Sequence, residues 1–229
     1  MSVRAAKLRG VGRQVLADHV YEEIFASLMD GRLEAGAGIS IDGMARDLNV
    51  SPTPVREALA RLEATGMVRR VALKGYRVAP LFSTDELAEL MDARLVIEPV
   101  NALRACERAT PELNKALEQS ITDLRNAPRG AAFAEFRDSW EADERFHRLI
   151  AESGANQFIL SAYHALGGQI QRFRFFGGLG VTDADFAIKE HTAVLEAFKG
   201  GDPEKARDAM IAHLLGVKQR AIRDIVERA

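Results

Sequence analysis

Residues 49–70 read NVSPTPVREALARLEATGMVRR, and this stretch decides the fold of the first third of the chain. Ser51 is placed to cap a helix, and Pro52 suits its first position, where no amide hydrogen is needed. Pro54 still lies in the first turn, so the two prolines stiffen the helix entry without breaking it. Val55, Leu59 and Leu62 form a buried stripe and Gly66 ends the run, which leaves Thr53, Arg56, Glu57 and Ala60 facing outward.

Working upstream, residues 14–30 place Val15, Val20, Ile24, Ala26 and Leu28 along a helical stripe that stops at Gly31. Gly36 and Gly38 read as a turn, Ser40 as the cap of a helix over 41–48, and Asn49-Val50 as a tight turn. Downstream, MVRRVALKGYRVAP gives two short strand-like runs around Lys74-Gly75, a hairpin. This order is that of a winged helix-turn-helix. Thr53 and Arg56 are its candidate base-edge or phosphate contacts; Arg61, Arg69, Arg70, Lys74 and Arg77 are candidates for the DNA backbone. Periodicity alone leaves a plain three-helix core with solvated arginines equally open.

Beyond residue 81 strand signals stop. Ser83 with Glu86 forms a capping-box pattern that opens a helix to about Ala109. Further helices are expected over 111–126, 131–152, 157–176 and 183–199, and from Asp202-Pro203 almost to the end. Six helices with short links imply an antiparallel bundle. The expected fold is thus mainly α: a basic arm over 1–13, a winged helix-turn-helix over 14–80 and an all-α bundle over 81–229.

Composition narrows the function classes. No apolar run approaches the ~18–20 residues of a membrane span, and the N-terminal MSVRAAKLRGVGR lacks the apolar centre of a signal peptide. A flexible basic arm on a cytoplasmic protein is the expectation. The single cysteine, Cys106, excludes an internal disulfide and a cysteine-rich zinc site, and reads as a buried thiol. The net charge of −2 hides an asymmetry, with 12 Lys and Arg against 9 Asp and Glu in residues 1–80. A polyanion would be met by the N-terminal part.

The bundle region holds four of the five histidines. Asp143 and His147 are spaced i,i+4 on one helix face, which suits chelation by a carboxylate and an imidazole. His191 and His213 stand nine and ten residues from the turn GGDP, ~14 and ~15 Å at helical rise, so an antiparallel pair holds them level. A surface i,i+4 pair beside Glu144 remains the plainer alternative. His164 is a looser candidate, and Arg172 and Arg174 in QRFRFF either line a cavity or face solvent.

Two stretches resemble a known family. GISIDGMARDLNVSPTPVREALARLEATGMV (38–68) resembles the winged-helix signature of the GntR family of bacterial transcription factors. The bundle is similar to the ligand domain of its FadR-type (FCD) subgroup, in the shorter six-helix branch. The marks are ARLVIE ending at Glu98, DERFH over 143–147, EH at 190–191 and AMIAH over 209–213. The resemblance implies a homodimer that binds a pseudo-palindromic operator. It implies a divalent ion (zinc first, or nickel or manganese) on Asp143, His147, His191 and His213, and a small carboxylate effector at the metal, helped by Arg94. Ser51, Thr53 and Arg56 match the DNA-contacting positions, whereas Pro52 stands where the family pattern has an arginine. Recognition is therefore expected to shift toward Thr53, Arg56, the arm and the wing.

The function expected is a transcriptional regulator, with repression relieved by effector as the commoner arrangement. The rivals are a metalloenzyme or a metal-responsive sensor using the same Asp/His site. Against an enzyme stands the lack of a sequence-visible general base: Glu144 and Glu190 adjoin ligands, but on a helix position i+1 points elsewhere.

Overall fold

The structure is a computed structural model, and it describes residues 13–129, 133–175 and 183–227. The expected basic arm lies outside the described residues, except that Arg13 opens the first helix. Two compact units divide between Leu81 and Phe82.

In the first unit, α1 (Arg13–Met29), α2 (Ile41–Asp47) and α3 (Pro52–Ala64) are joined by β1 (Gly38–Ile39), β2 (Val68–Val71) and β3 (Gly75–Val78). The three strands form an antiparallel sheet in the order β1-β3-β2, with Val68 opposite Val78 and Val71 opposite Gly75. The hairpin appears as expected, but β1 does not: its segment reads as a turn in the sequence. Two residues are too few for alternation to show, and the pairing of Gly38 with Arg77 and Ile39 with Tyr76 is a tertiary event. The stripe on α1 is also shifted. Ala17, Val20, Ile24, Phe25, Leu28 and Met29 are buried, while Val15 is exposed.

Ser40 caps α2 by accepting from the Gly43 amide at 3.0 Å, three positions on. Ser51, in the same position before α3, makes no such bond. The reason is covalent: the third residue of α3 is Pro54, which has no amide hydrogen to give. The prolines are tolerated as expected, but Ser51 is a cap in backbone geometry only.

The second unit consists of α4 (Thr84–Cys106), α5 (Pro111–Asn126), α6 (Phe133–Ser153), α7 (Gln157–Phe175), α8 (Ala184–Gly200) and α9 (Pro203–Val226). Ser83 and Glu86 make the reciprocal capping box, at 2.9 and 3.1 Å. Thr110 caps α5 and Asp202 caps α9 in the same third-residue pattern. Gly201 takes the left-handed conformation that closes α8, at φ +64°. α4 packs along α9, α9 along α8, and α5 along α6. The shared core includes Leu87, Met91, Phe146, Val194, Phe198, Met210 and Leu214. Cys106 is buried there as expected, its Sγ 3.7 Å from the Ala197 carbonyl oxygen. Among the described residues, no helix is long and apolar enough to cross a membrane.

Candidate functional site

Three helices deliver the histidines. α6 supplies Asp143 and His147, α8 supplies His191 and α9 supplies His213. Each is nearly or fully buried, at 3%, 4%, 0% and 0% exposure. One nitrogen from each histidine lies within 4.8 Å of the others. His147 Nε2 is 3.3 Å from His213 Nε2, and the Asp143 oxygens lie 3.7 Å from His191 Nε2 and 4.0 Å from His147 Nε2. The Phe146 ring stacks flat on His191, at 4.0 Å between centroids, and so fixes its plane. The level placement about the GGDP turn is accompanied by convergence, with the His191 and His213 rings 4.7 Å apart.

The outer nitrogens explain which way the rings face. His213 Nδ1 lies 2.8 Å from Glu190 Oε2. Burial alone would raise the Glu190 carboxyl, but bonds to His213 and Arg220 hold it below its ordinary range. It is thus an acceptor, and His213 Nδ1 must carry the hydrogen. The Nε2 lone pair of His213 then points at His147. Burial also pushes the His213 imidazole down, against the pull of Glu190, which favours the neutral ring. His147 Nδ1 in turn sits 2.7 Å from Glu98 Oε2. Two Nε2 atoms at 3.3 Å need a hydrogen or a cation between them. Nitrogens bound to one ion at ~2.0–2.1 Å with near-tetrahedral angles stand about that far apart. The donor set and its spacing fit a divalent ion.

Arg94 on α4 is 1% exposed and lies one carboxylate away from His147. Its Nε donates to Glu98 Oε1 at 2.6 Å and its second terminal nitrogen to Glu98 Oε2 at 3.4 Å. Burial opposes both charges, and each outweighs that for the other: the Arg94 guanidinium is raised, and Arg94 and His147 together hold Glu98 far below the carboxylate range. Burial likewise pushes the Tyr163 hydroxyl well up, with the Glu98 carboxylate adding to it. His164, by contrast, is exposed. Arg172 is buried with its guanidinium 3.9 Å over the Phe82 ring, and the Arg174 side chain lies outside the described residues.

Sequence reasoning missed Glu98 and Glu190 as partners of the site. Glu98 stands four residues from Arg94, a spacing that was visible. Glu190 was set aside because it adjoins His191. It does point away from that residue, and it meets His213 of the neighbouring helix instead.

On the first unit, Thr53, Arg56 and Ala60 are exposed, opposite the buried Val55, Ala58, Leu59 and Leu62. Arg69, Arg70 and Lys74 are exposed on the hairpin. Arg61 is engaged elsewhere: it bonds Asp18 of α1 at 2.6 Å and lies 4.2 Å over the Tyr21 ring. Arg77 donates to the Gly36 carbonyl at 2.9 Å, which ties the sheet to the loop before β1.

Comparison with known proteins places both units. Residues 16–78 match the bacterial regulatory proteins of the gntR family, and residues 89–216 match the FCD domain. The chain is 27% identical to the HTH-type transcriptional regulator YcbG of Bacillus subtilis (strain 168), over 97% of each chain. It is 23% identical to the HTH-type transcriptional repressor RspR of Escherichia coli (strain K12), over 90% of this chain and 89% of that one. Among solved structures, E. coli McbR/YncC shares the fold with a TM-score of 0.68 at 20% identity, over 90% of this chain and 97% of that one. These relatives are regulators, which sets the metalloenzyme reading aside. With a gntR-type winged helix-turn-helix followed by an FCD bundle, the chain belongs to the GntR family of transcriptional regulators, in its FadR-type, FCD-bearing subgroup.

Proposed function

We propose that the chain is a homodimeric repressor whose operator affinity is set by a small carboxylate bound at a metal centre of Asp143, His147, His191 and His213. The observation that carries this reading is the 3.3 Å approach of two buried imidazole nitrogens, with a third histidine and a carboxylate beside them. A divalent ion held there supplies a Lewis-acidic anchor for a carboxylate. Four protein ligands favour a resident ion over a sensed one, with zinc first among the candidates and nickel or manganese behind it.

The chain's own residues do the rest. Arg94 offers a guanidinium for which an entering carboxylate competes with Glu98. Glu98 also faces His147, so a change at Arg94 is felt at the metal ligand. The bundle thereby favours one packing, and the DNA heads of the dimer change their fit to half-sites of fixed spacing. An effector must distinguish the two states by ~1–3 kcal/mol to matter. Ser51, Thr53 and Arg56 read the operator, with Arg69, Arg70 and Lys74 on the backbone. The naming of RspR as a repressor supports the sign.

The test is a metal analysis of protein purified without chelator, followed by gel shifts with small carboxylates. Near one equivalent of metal per chain, and operator release by at least one carboxylate, are expected. Less than half an equivalent, unchanged in His191→Ala, would refute the metal centre.

A further inference from the structure

A glycine in the middle of a helix costs stability relative to alanine, so its presence calls for a reason. Gly216 lies well inside α9. A Cβ built on it would stand 2.7 Å from Glu190 Oε1 and 2.9 Å from an Arg220 terminal nitrogen, closer than packed atoms sit. The helix leaves room there for one pair of side chains. Arg220 grips Glu190 with both terminal nitrogens, at 2.8 and 2.9 Å, and its Nε donates to Asp183 at 3.3 Å. Glu190 Oε2, which accepts from one Arg220 nitrogen, also takes the His213 Nδ1 hydrogen. His213, Gly216 and Arg220, at spacings of three and four, share the face of α9 that packs on α8. Asp183 stands at the cap position of α8 yet makes no cap bond.

We infer that Asp183, Arg220 and Glu190 are positioning residues for His213, and that Gly216 is the gap that lets them assemble. The proposal rests on the reading of His213 as a metal ligand. Glu190 fixes which His213 nitrogen carries the hydrogen, and so turns the Nε2 lone pair inward. Arg220 holds the Glu190 carboxylate in place through both of its terminal nitrogens. Asp183 completes the Arg220 fork. Partners of this kind around a metal-bound histidine commonly change metal affinity by ~10–100-fold.

Gly216→Ala and Glu190→Gln are the variants. The atoms that a Cβ would crowd are the far ends of flexible side chains, so Gly216→Ala keeps the fold while displacing the pair. Three measurements are made: melting of the metal-free proteins, zinc affinity by competition with a chromophoric chelator, and the ring nitrogen–proton NMR spectrum of metal-free His213. Gly216→Ala is expected to keep a cooperative melt, the better helix former offsetting part of what the displaced pair contributed. Both variants should bind zinc at least tenfold more weakly, and the His213 ring should lose its uniform Nδ1–H form. Zinc affinity within threefold of the unmodified chain in both variants, or an unchanged His213 ring, overturns the inference. Should the unmodified protein bind no zinc, the metal-centre reading falls, and the metal-free ring spectra still decide whether these residues set the ring.

Discussion

His147 Nε2 and His213 Nε2 face each other at 3.3 Å, brought together from positions 66 residues apart on different helices. Two imidazole nitrogens turned toward each other are a weak reason to bury both rings, along with Asp143 and His191. Removing metal should therefore do more than empty a site. In melts with zinc at about 100 times its dissociation constant, the protein should gain ~2.7 kcal/mol over the metal-free form. His213→Ala should abolish that gain. A zinc-dependent shift of the same size in His213→Ala would show that the ion binds elsewhere.

Two arginines on one helix should separate cleanly. Arg56 is exposed at the start of α3, whereas Arg61 is bonded to Asp18 and lies over Tyr21. Arg56→Ala should weaken operator binding by ~1–3 kcal/mol in quantitative gel shifts. Arg61→Ala should change affinity by less than Arg56→Ala does, and act on the melting of the first unit instead. Equal losses of affinity would place Arg61 on the DNA as well.

Among the described residues, four serine and threonine positions that open helices offer a built-in comparison. Ser40, Ser83 and Thr110 each accept an amide hydrogen three residues on, and Ser51 does not, because that residue is Pro54. Ser40→Ala or Ser83→Ala should cost ~1 kcal/mol in denaturant melts. Ser51→Ala should leave stability close to unchanged. If Ser51→Ala destabilises as much as Ser40→Ala, the hydroxyl is making a cap bond after all. A loss of operator affinity in the stable Ser51→Ala protein would show that its hydroxyl is spent on DNA.

Much of the architecture was legible because it is local. The caps at Ser40, Ser83, Thr110 and Asp202 and the stop at Gly201 are short-range chemistry, and their helices begin and end where that chemistry says. What escaped is what depends on a partner distant in sequence. β1 exists only because β3 lies alongside it. Val15 fits a helical stripe in sequence, but the buried face of α1 is set by where α3 packs. The approach of His147, His191 and His213 could be judged for height along the helices, yet rotation about each axis comes from packing. Glu190 shows the same limit: only knowledge of which helix lies alongside reveals that it serves His213.

The Arg94–Glu98 pair carries the sharpest pH prediction. Both side chains are buried, so losing one partner strands the other charge in the core. Glu98→Leu should cost ~3–5 kcal/mol, while Arg94→Met combined with Glu98→Leu should recover most of that stability. Glu98 titrates below its ordinary value of 4.5 in the folded chain, because Arg94 and His147 outweigh the effect of burial. The unfolded chain therefore takes up this proton first as the pH falls. Stability from the pair is fully present above 4.5 and is lost as the pH falls through that value toward the lower folded one. Melts of metal-free protein between pH 6 and pH 3 should show the double variant losing less stability than the unmodified chain. Parallel pH profiles for the two proteins would mean that Glu98 takes up its proton at the same pH in the folded chain as in the unfolded one, and that Arg94 does not hold its charge.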